Sequence, residues 1–370
     1  MARFLFPRLS AFLALAVLFF SASNKASAST CDSSFYSFYD SCVAFGSCSP
    51  FTTPEEVIRA HPQCFPGGSS SSQAQVSGSS FQQVAAITSV LQGRMLGNTG
   101  PIEFGSTPMQ GLAAGGKNAW NVWANIGTND TKQSYSVTGN PIRNDFKIQN
   151  TVIGADYALA PGMVIGVSGA LDRGESGTEA FANPRATTTT KGYAIAPYIG
   201  YQLGKELALD ASVGLGSGKT NSAGGAESEA DRLFYAANLG YSSWIKDLQL
   251  TGKLGYLHGE EDFGQTKLNG APRNNTAIKN KLDRWQLGGQ LGYWLGNGVM
   301  PYASLTYLAD RRGSSQAGSD PIGKSAWQWA LGVNFFSLAN GITGGLVYMQ
   351  EDNRSNQKSD GVTANIGIRF

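Results

Sequence analysis

The chain ends in Val362-Thr363-Ala364-Asn365-Ile366-Gly367-Ile368-Arg369-Phe370, a stretch in which every second residue is apolar. Strict alternation predicts a β-strand with one apolar face. A terminal aromatic residue on that face is typical of the closing strand of an outer-membrane β-barrel. A soluble protein has little reason to end this way, because chain termini usually fray in solvent. The lipid-facing residues of this last strand are predicted to be Val362, Ala364, Ile366, Ile368 and Phe370.

The same two-residue period begins at Ala119 and recurs along the chain, giving twelve predicted strands up to Phe370. Short connections, such as Asn297-Gly298, alternate with longer polar segments near residues 128–145, 173–190, 216–231, 258–281, 310–325 and 350–360. This asymmetry is typical of a barrel with tight periplasmic turns and longer extracellular loops. We therefore predict an all-β fold, a 12-stranded antiparallel transmembrane barrel over residues 119–370. A soluble two-sheet sandwich is disfavoured because it does not require alternating connection lengths.

Residues 1–28 have the pattern of a cleaved signal peptide. Arg3 and Arg8 precede an apolar stretch from Leu9 to Ala22, and Ala26-Ser27-Ala28 supplies a small-residue cleavage site. The apolar stretch is shorter than the roughly 20 residues that a membrane-spanning helix needs. Export to the Gram-negative outer membrane is the predicted localisation.

All cysteines of the chain lie in residues 29–65, a short exported segment. They are Cys31, Cys42, Cys48 and Cys64. An even number in an exported segment predicts two disulfides, and three connectivities are open. A metal site is disfavoured because the spacing matches no metal-ligand pattern and only His61 is nearby.

A Gly/Ser-rich linker is predicted for residues 66–79, and a helix followed by an irregular linker for residues 80–118. Ser80 and Gln83 have the spacing of a capping box. The apolar face of the predicted helix consists of Val84, Ile87, Leu91 and Met95.

Several longer motifs carry a family resemblance. They include Ala119-Trp120-Asn121-Val122-Trp123, Gly154-Ala155-Asp156-Tyr157, Ala196-Pro197-Tyr198-Ile199-Gly200-Tyr201, Leu209-Asp210-Ala211-Ser212, Gly289-Gln290-Leu291-Gly292-Tyr293, Met300-Pro301-Tyr302-Ala303, Trp329-Ala330-Leu331-Gly332-Val333-Asn334 and Asn365-Ile366-Gly367-Ile368-Arg369-Phe370. With these motifs, residues 119–370 resemble the autotransporter β-domain, the translocator barrel of type V secretion.

The resemblance implies a barrel with a helix in its lumen and an N-terminal segment that is exported through the pore or plugs it. It also implies that the barrel-assembly machinery reads the last strand as an assembly signal. The expected partners are that machinery, periplasmic chaperones, outer-membrane lipid and lipopolysaccharide. The chain differs from the usual autotransporter in its N-terminal segment, which is far shorter than the usual passenger of hundreds of residues.

Two functions follow as hypotheses. The first is an autotransporter-type barrel that anchors, and translocates or displays, a short N-terminal segment. The alternative is a structural outer-membrane protein or a small plugged pore with no secreted passenger.

Catalysis, cofactor binding and metal binding are not expected. The predicted barrel has a single histidine, His258, whose neighbours Glu260, Glu261 and Asp262 are interpreted as a solvated loop cluster. Residues 214–220 lack the first glycine of a phosphate-binding loop, because Val213 stands at that position. The formal net charge of +2 gives no basic surface for nucleic acid. Charged residues at strand ends are expected at the outer rim, where they could contact lipopolysaccharide phosphates: Asp172, Arg173, Asp310, Arg311 and Arg312.

Overall fold

The computed structural model describes residues 33–61, 64–65, 83–91, 95, 119–137, 140–180, 186–222, 224–315, 322–337 and 341–370. The predicted signal peptide, Cys31, the linker 66–79, Ser80 and the irregular segment 98–118 lie outside these residues.

Twelve long strands and one short hairpin make up the β-structure of the described residues. They are β1 Trp120–Val137, β2 Asn140–Ala160, β3 Met163–Ala180, β4 Ala186–Leu203, β5 Leu207–Ser222, β6 Ala226–Ile245, β7 Leu248–Phe263, β8 Lys267–Leu268, β9 Ala271–Pro272, β10 Ile278–Tyr293, β11 Val299–Ser314, β12 Ser325–Ser337, β13 Ile342–Asp352 and β14 Gln357–Arg369. Each long strand pairs antiparallel with its neighbours, and β8 and β9 form the hairpin between β7 and β10. The predicted 12-stranded barrel is confirmed.

The barrel closes where its first and last strands meet. β1 pairs with β14 over the register from Asn121↔Arg369 to Gln133↔Gln357. Beyond that register, the backbone N–H of Trp120 donates to the carbonyl of Phe370 at 3.2 Å, and the N–H of Phe370 donates to the carbonyl of Trp120 at 3.1 Å. We call the end of the barrel that holds this pair the turn end, and the opposite end the far end.

The predicted long loops at the far end are wrong in extent. β1 and β2 remain paired from Trp120↔Tyr157 to Val137↔Asn140, so residues 128–145 are almost entirely strand. The other five predicted loops also include strand residues at both of their ends. These extensions are polar on both faces, as at Lys132 outside and Gln133 inside, so hydropathy reveals only the part of each strand that contacts lipid.

Two belts of exposed aromatic side chains circle the outer wall. The belt near the turn end contains Trp120, Tyr157, Tyr201, Tyr241, Tyr293, Phe335 and Phe370. The second belt contains Tyr193, Tyr235, Trp285, Tyr307, Trp327 and Tyr348. On β4, the eight-residue step from Tyr193 to Tyr201 is about 26 Å along a strand, or about 20 Å along the axis of a tilted barrel. That spacing matches the apolar band of an outer-membrane barrel.

Among the described residues, three helical segments precede the barrel. They are α1 Ser33–Phe45, α2 Pro54–Ala60 and α3 over residues 83–91. The Thr53 side chain starts α2 by accepting a hydrogen bond from the backbone N–H of Glu56. In the described part of the chain, no helix has the length and apolar character needed to cross a membrane.

Candidate functional site in the lumen and at the far end

Helix α3 lies inside the barrel. Val84, Ile87, Leu91 and Met95 are each at most 2% exposed, and all four belong to one apolar cluster with inward-facing barrel residues. The barrel residues of this cluster are Trp123, Val152, Val164, Ala170, Ala194, Ala196, Tyr198, Ala208, Phe234, Ala236 and Leu257. The apolar face of α3 therefore packs on the barrel wall.

One glycine of the wall provides space for this helix. A Cβ atom at Gly200 of β4 would lie 2.9 Å from Cε of Met95 and 3.0 Å from Cδ2 of Leu91. Real Cβ atoms essentially never approach another heavy atom so closely. Any larger residue at position 200 must displace one of these side chains.

Polar contacts fix the helix at a defined height and rotation. The Thr88 hydroxyl donates to Oδ1 of Asp210 at 3.0 Å, and Nδ2 of Asn238 donates both to this hydroxyl at 2.9 Å and to Oδ1 of Asp210 at 2.8 Å. Nε2 of Gln83 donates to the hydroxyl of Ser168 at 3.1 Å. Because these groups are buried, losing one partner leaves the others unsatisfied at a cost of roughly 1–3 kcal/mol.

A first charged network lies on the inner wall. Arg232 of β6 donates from Nη1 to Asp172 of β3 at 2.6 Å and from Nε to Glu261 of β7 at 2.7 Å. Its side chain crosses β5 and β4 against Gly218 and Gly192, where a Cβ atom would collide with the guanidinium group. The glycines thus let a long side chain lie flat on the wall instead of projecting into the bore.

A second network centres on Asp310 of β11. Arg284 makes two hydrogen bonds to this carboxylate at 2.7 and 2.8 Å. Arg312 contacts it at 2.7 Å, and Arg354 at 2.9 Å. Asp172, Asp310 and Arg312 therefore lie inside the barrel, and their predicted place at the outer rim is wrong. The other two residues expected there, Arg173 and Arg311, do face outward. Each lies an even number of positions from a lipid-facing residue of its own strand, so both side chains point to the same side.

The described residues before the linker form a compact unit at the far end. We call residues 33–61 and 64–65 the N-terminal cap. Cys42 and Cys48 form a disulfide, and Cys64 is disulfide-bonded with its partner outside the described residues. The buried residues of the cap are Tyr36, Tyr39, Cys42, Cys48, Val57, Ile58, Cys64 and Phe65, and their cluster continues into Ala226, Leu268 and Ile278 of the barrel. These three barrel residues belong to β6, β8 and β10 at the far end.

Tyr36 and Tyr39 of α1 contact the barrel through their side chains. The guanidinium carbon of Arg273 lies 5.1 Å from the centroid of the Tyr36 ring. The Tyr39 hydroxyl donates to the backbone carbonyl of Asn275 at 3.4 Å. The Tyr36 hydroxyl donates to the Cys64 carbonyl at 2.6 Å, and burial raises the pKa of Tyr36 to about 12. Neither Arg273 nor Asn275 was singled out by the sequence analysis.

His61 lies among aromatic rings of the cap. Its ring centroid is 4.9 Å from that of Phe35 and 5.8 Å from that of Phe51. Burial lowers the pKa of His61 to about 4, so the imidazole is neutral at pH 7. The histidine acts as an aromatic packing residue at that pH.

All five predicted lipid-facing residues of the last strand are placed on the outer face of β14 or just beyond it. Val362, Ile366, Ile368 and Phe370 are between 37% and 62% exposed, and Ala364 is exposed between them. The inward positions between them hold Thr363, Asn365, Gly367 and Arg369.

His258 belongs to strand β7, and its predicted loop position is wrong. Its Nδ1 lies 2.7 Å from Oδ1 of Asp283, its Nε2 lies 3.4 Å from Oε1 of Glu260, and its ring stacks on Tyr235. His258 and Glu260 therefore lie on the outer wall beside the second aromatic belt, whereas Glu261 faces the lumen and binds Arg232. Across the described ranges, no group of three or more His, Cys, Asp or Glu side chains could hold a metal ion.

Solved translocator domains share this architecture. The translocator domain of NalP from Neisseria meningitidis superposes with a TM-score of 0.53 at 15% identity, covering 78% of this chain and 98% of that one. The beta domain of Bordetella BrkA gives 0.53 at 16% identity over 68% of this chain and 100% of that one. The transport unit of AIDA-I from Escherichia coli gives a TM-score of 0.53 at 12% identity, covering 78% of this chain and 98% of that one. At these identities, the likeness shows the fold.

The family assignment comes from the sequence match. No curated protein matches the chain significantly. The family described as Autotransporter beta-domain matches residues 122–335, more than half of the chain. Autotransporter β-domains are outer-membrane barrels whose insertion depends on the barrel-assembly machinery, and the translocator barrel family is not enzymatic. The chain belongs to the autotransporter β-domain family and forms an outer-membrane translocator-type barrel.

Proposed function

We propose that this barrel carries its own short N-terminal segment to the cell surface and retains it there as a disulfide-closed cap. In this proposal the segment passes through the open pore before α3 occupies the lumen. The barrel is then an anchor and display device, and neither the barrel nor the cap is an enzyme.

The docking of the cap at the far end is the observation that carries the proposal. In an outer-membrane barrel the short turns face the periplasm, so the far end faces outward. The cap shares one apolar cluster with Ala226, Leu268 and Ile278 at that end. Helix α3 lies in the lumen, between the cap and the start of β1 in chain order. A chain that runs from the outer mouth through the lumen to the periplasmic end is the expected product of translocation.

The contacts of the cap also favour retention over release. Its docking combines apolar packing, the Arg273–Tyr36 contact and the Tyr39–Asn275 hydrogen bond. A passenger designed for release would have no need of specific contacts with the barrel rim. We further propose that periplasmic chaperones hold the unfolded chain before insertion, that the outward face of β14 with Phe370 is the assembly signal, and that lipopolysaccharide surrounds the rim.

Antibody access to an inserted epitope tests display. One variant carries the epitope between Phe45 and Gly46, where both flanking residues are exposed. The matched control carries the same epitope between Gly204 and Lys205, in the turn between β4 and β5. Intact cells should bind antibody in the first variant, and in the control only after the outer membrane is permeabilised. Labelling of the first variant only after permeabilisation would refute display and favour the alternative, a structural or plugged-pore protein with a periplasmic segment.

A further inference from the structure

Helix α3 packs on one side of the lumen. Its polar partners Ser168, Asp210 and Asn238 belong to β3, β5 and β6. The barrel residues of its apolar cluster all belong to strands from β1 to β7. In the closed ring of twelve long strands, β11 to β14 stand opposite β3 to β6. The inner face of β11 to β14 is therefore the wall that faces α3 across the bore.

This opposite wall is accessible to water. Its inward-facing side chains are half-exposed although they lie inside a closed barrel, and the polar ones include Ser304, Thr306, Gln328, Asn334, Thr343 and Asn365. On the α3 side, by contrast, Ser168, Ser212 and Asn238 are at most 4% exposed. Exposure of inward side chains requires space for water in front of them. We call this space the vestibule.

The vestibule opens at the turn end and narrows toward the far end. Half-exposed side chains continue to Thr343 and Arg369, at the turn-end limits of β13 and β14. Toward the far end, inward-facing residues are at most 7% exposed: Leu308, Asp310, Ala326 and Glu351. The Arg354 guanidinium group also lies there, 2.9 Å from Asp310. Because the short turns face the periplasm, the vestibule opens to the periplasm.

The accessible charge of the vestibule is positive. Arg369 is half-exposed on the inner face of β14, its Nε has no hydrogen-bond partner, and no carboxylate of the described residues pairs with it. Lys253 is also half-exposed and faces inward, but it interacts electrostatically with Asp210. The described carboxylates that face the lumen are all at most 7% exposed: Asp156, Asp172, Asp210, Glu261, Asp310 and Glu351. An ion entering from the turn end therefore meets one uncompensated cation on a neutral polar wall.

We propose that the vestibule admits small anions from the periplasm and disfavours cations, with Arg369 as the selecting residue. A guanidinium group donates several hydrogen bonds and suits oxyanions such as phosphate or a carboxylate. The low-dielectric wall of the barrel strengthens its field in the narrow space. The inference concerns the lumen, and it is independent of whether the cap is displayed.

Introduced thiols show whether the vestibule is filled with water. All native cysteines precede the linker, and none of the described ones is free. Ser304→Cys places a thiol in the vestibule, and Ser212→Cys places one on the α3 side, where Ser212 is 4% exposed. The reagents are two methanethiosulfonates, one anionic and one cationic, added to the full-length protein in detergent. Ser304→Cys should react at least about tenfold faster than Ser212→Cys, because modification needs an accessible thiol.

The same reagents measure charge selection at Thr343→Cys. Thr343 stands opposite Gly367, two residues from Arg369. The rate with the anionic reagent divided by the rate with the cationic reagent, normalised to a free thiol, should exceed one. Arg369→Gln should lower this ratio about fourfold, because a unit charge roughly 10 Å away acts oppositely on the two reagents. Arg369→Lys should keep the ratio, and so should the control Arg173→Gln on the outer wall.

Fast modification of Ser304→Cys, slow modification of Ser212→Cys and a ratio lowered only by Arg369→Gln support the proposal. Equally slow reaction at both serine positions overturns it, and so does a ratio that Arg369→Gln leaves unchanged or that Arg173→Gln lowers equally. Heat-modifiable mobility on gels identifies folded variants. If Arg369→Gln does not fold, the Thr343→Cys protein alone decides, since a normalised ratio at or below one overturns anion preference. Surface access of the cap epitope is measured separately, so either proposal can fail alone.

Discussion

Arg273 lies over the ring of Tyr36, with 5.1 Å between the guanidinium carbon and the ring centroid. The contact joins α1 of the N-terminal cap to the connection that follows the β8–β9 hairpin. The Tyr36 hydroxyl is already bonded to the Cys64 carbonyl, so its ring face is held in place for the cation.

The first prediction concerns this contact. Arg273→Ala should loosen the cap, because a cation–π contact is worth about 0.5–2 kcal/mol. Hydrogen exchange of the α1 amides should accelerate by roughly two- to thirtyfold if exchange occurs through undocking. Arg311→Ala, on the outer wall, serves as the control and should leave α1 exchange unchanged. Equal exchange rates in Arg273→Ala and the wild type would contradict the docking role of Arg273.

The second prediction concerns acid. Because the pKa of His61 is lowered to about 4, an unpacked cap binds a proton at higher pH than the packed one. Cap stability should therefore be complete above about pH 6.5 and should decrease as the pH falls toward 4. Protease resistance of the cap between pH 7 and 4.5, compared with His61→Gln, measures this dependence.

An NMR titration checks the cause directly. The chain has two histidines, so the His258→Gln variant leaves only the His61 imidazole signal. A midpoint near 4 is expected, and a midpoint near 6.5 would rule out the burial of His61 as the origin of acid sensitivity.

The third prediction concerns barrel closure. Deleting Phe370 removes both backbone hydrogen bonds to Trp120 and one member of the first aromatic belt. We expect a marked fall in the amount of folded barrel in the outer membrane, measured by heat-modifiable mobility. Phe370→Tyr keeps the backbone and the ring, and its folded fraction should match the wild type. Normal insertion of the deletion variant would show that the last residue is dispensable.

The fourth prediction concerns the bore. Gly200→Leu places a side chain where Leu91 and Met95 now lie, so α3 should be displaced. Single-channel conductance in planar bilayers should rise relative to the wild type. Gly169→Leu is the control, because a Cβ at Gly169 meets no atom within 4 Å. A conductance of Gly200→Leu equal to that of the control would mean that the helix tolerates the added volume.

The sequence predicted most of the barrel because lipid contact imposes a two-residue period on every membrane-spanning strand, and the connection lengths distinguish the barrel from a sandwich. The strands and the outward face of the last strand follow from this period, and the apolar face of α3 follows from the helical period of 3.6 residues. The two-residue period also predicts opposite directions for the side chains of Arg311 and Arg312. Arg311 is four residues from the lipid-facing Tyr307 and faces outward with it, whereas Arg312 is five residues away and faces inward. Adjacent strand residues face opposite sides, so the two arginines cannot both lie on the outer wall.

The cap contacts had no comparable signal. Tyr36 and Arg273 are far apart in the chain, and neither belongs to a periodic pattern. Strand extensions beyond the membrane were likewise invisible, because polar residues occupy both of their faces. The signal peptide and the linker 66–79 stay predictions.

The pairing of Trp120 with Phe370 also determines when the barrel can close during biogenesis. The sheet has an open edge at β1 until its partner β14 is available, and β14 follows every other strand of the barrel in the chain. No subset of earlier strands can close the barrel, so synthesis of all strands from β1 to β14 precedes closure. The interval between export of Trp120 and arrival of Phe370 is therefore the period in which the chain depends on protection from aggregation, and it lengthens with every residue added between them.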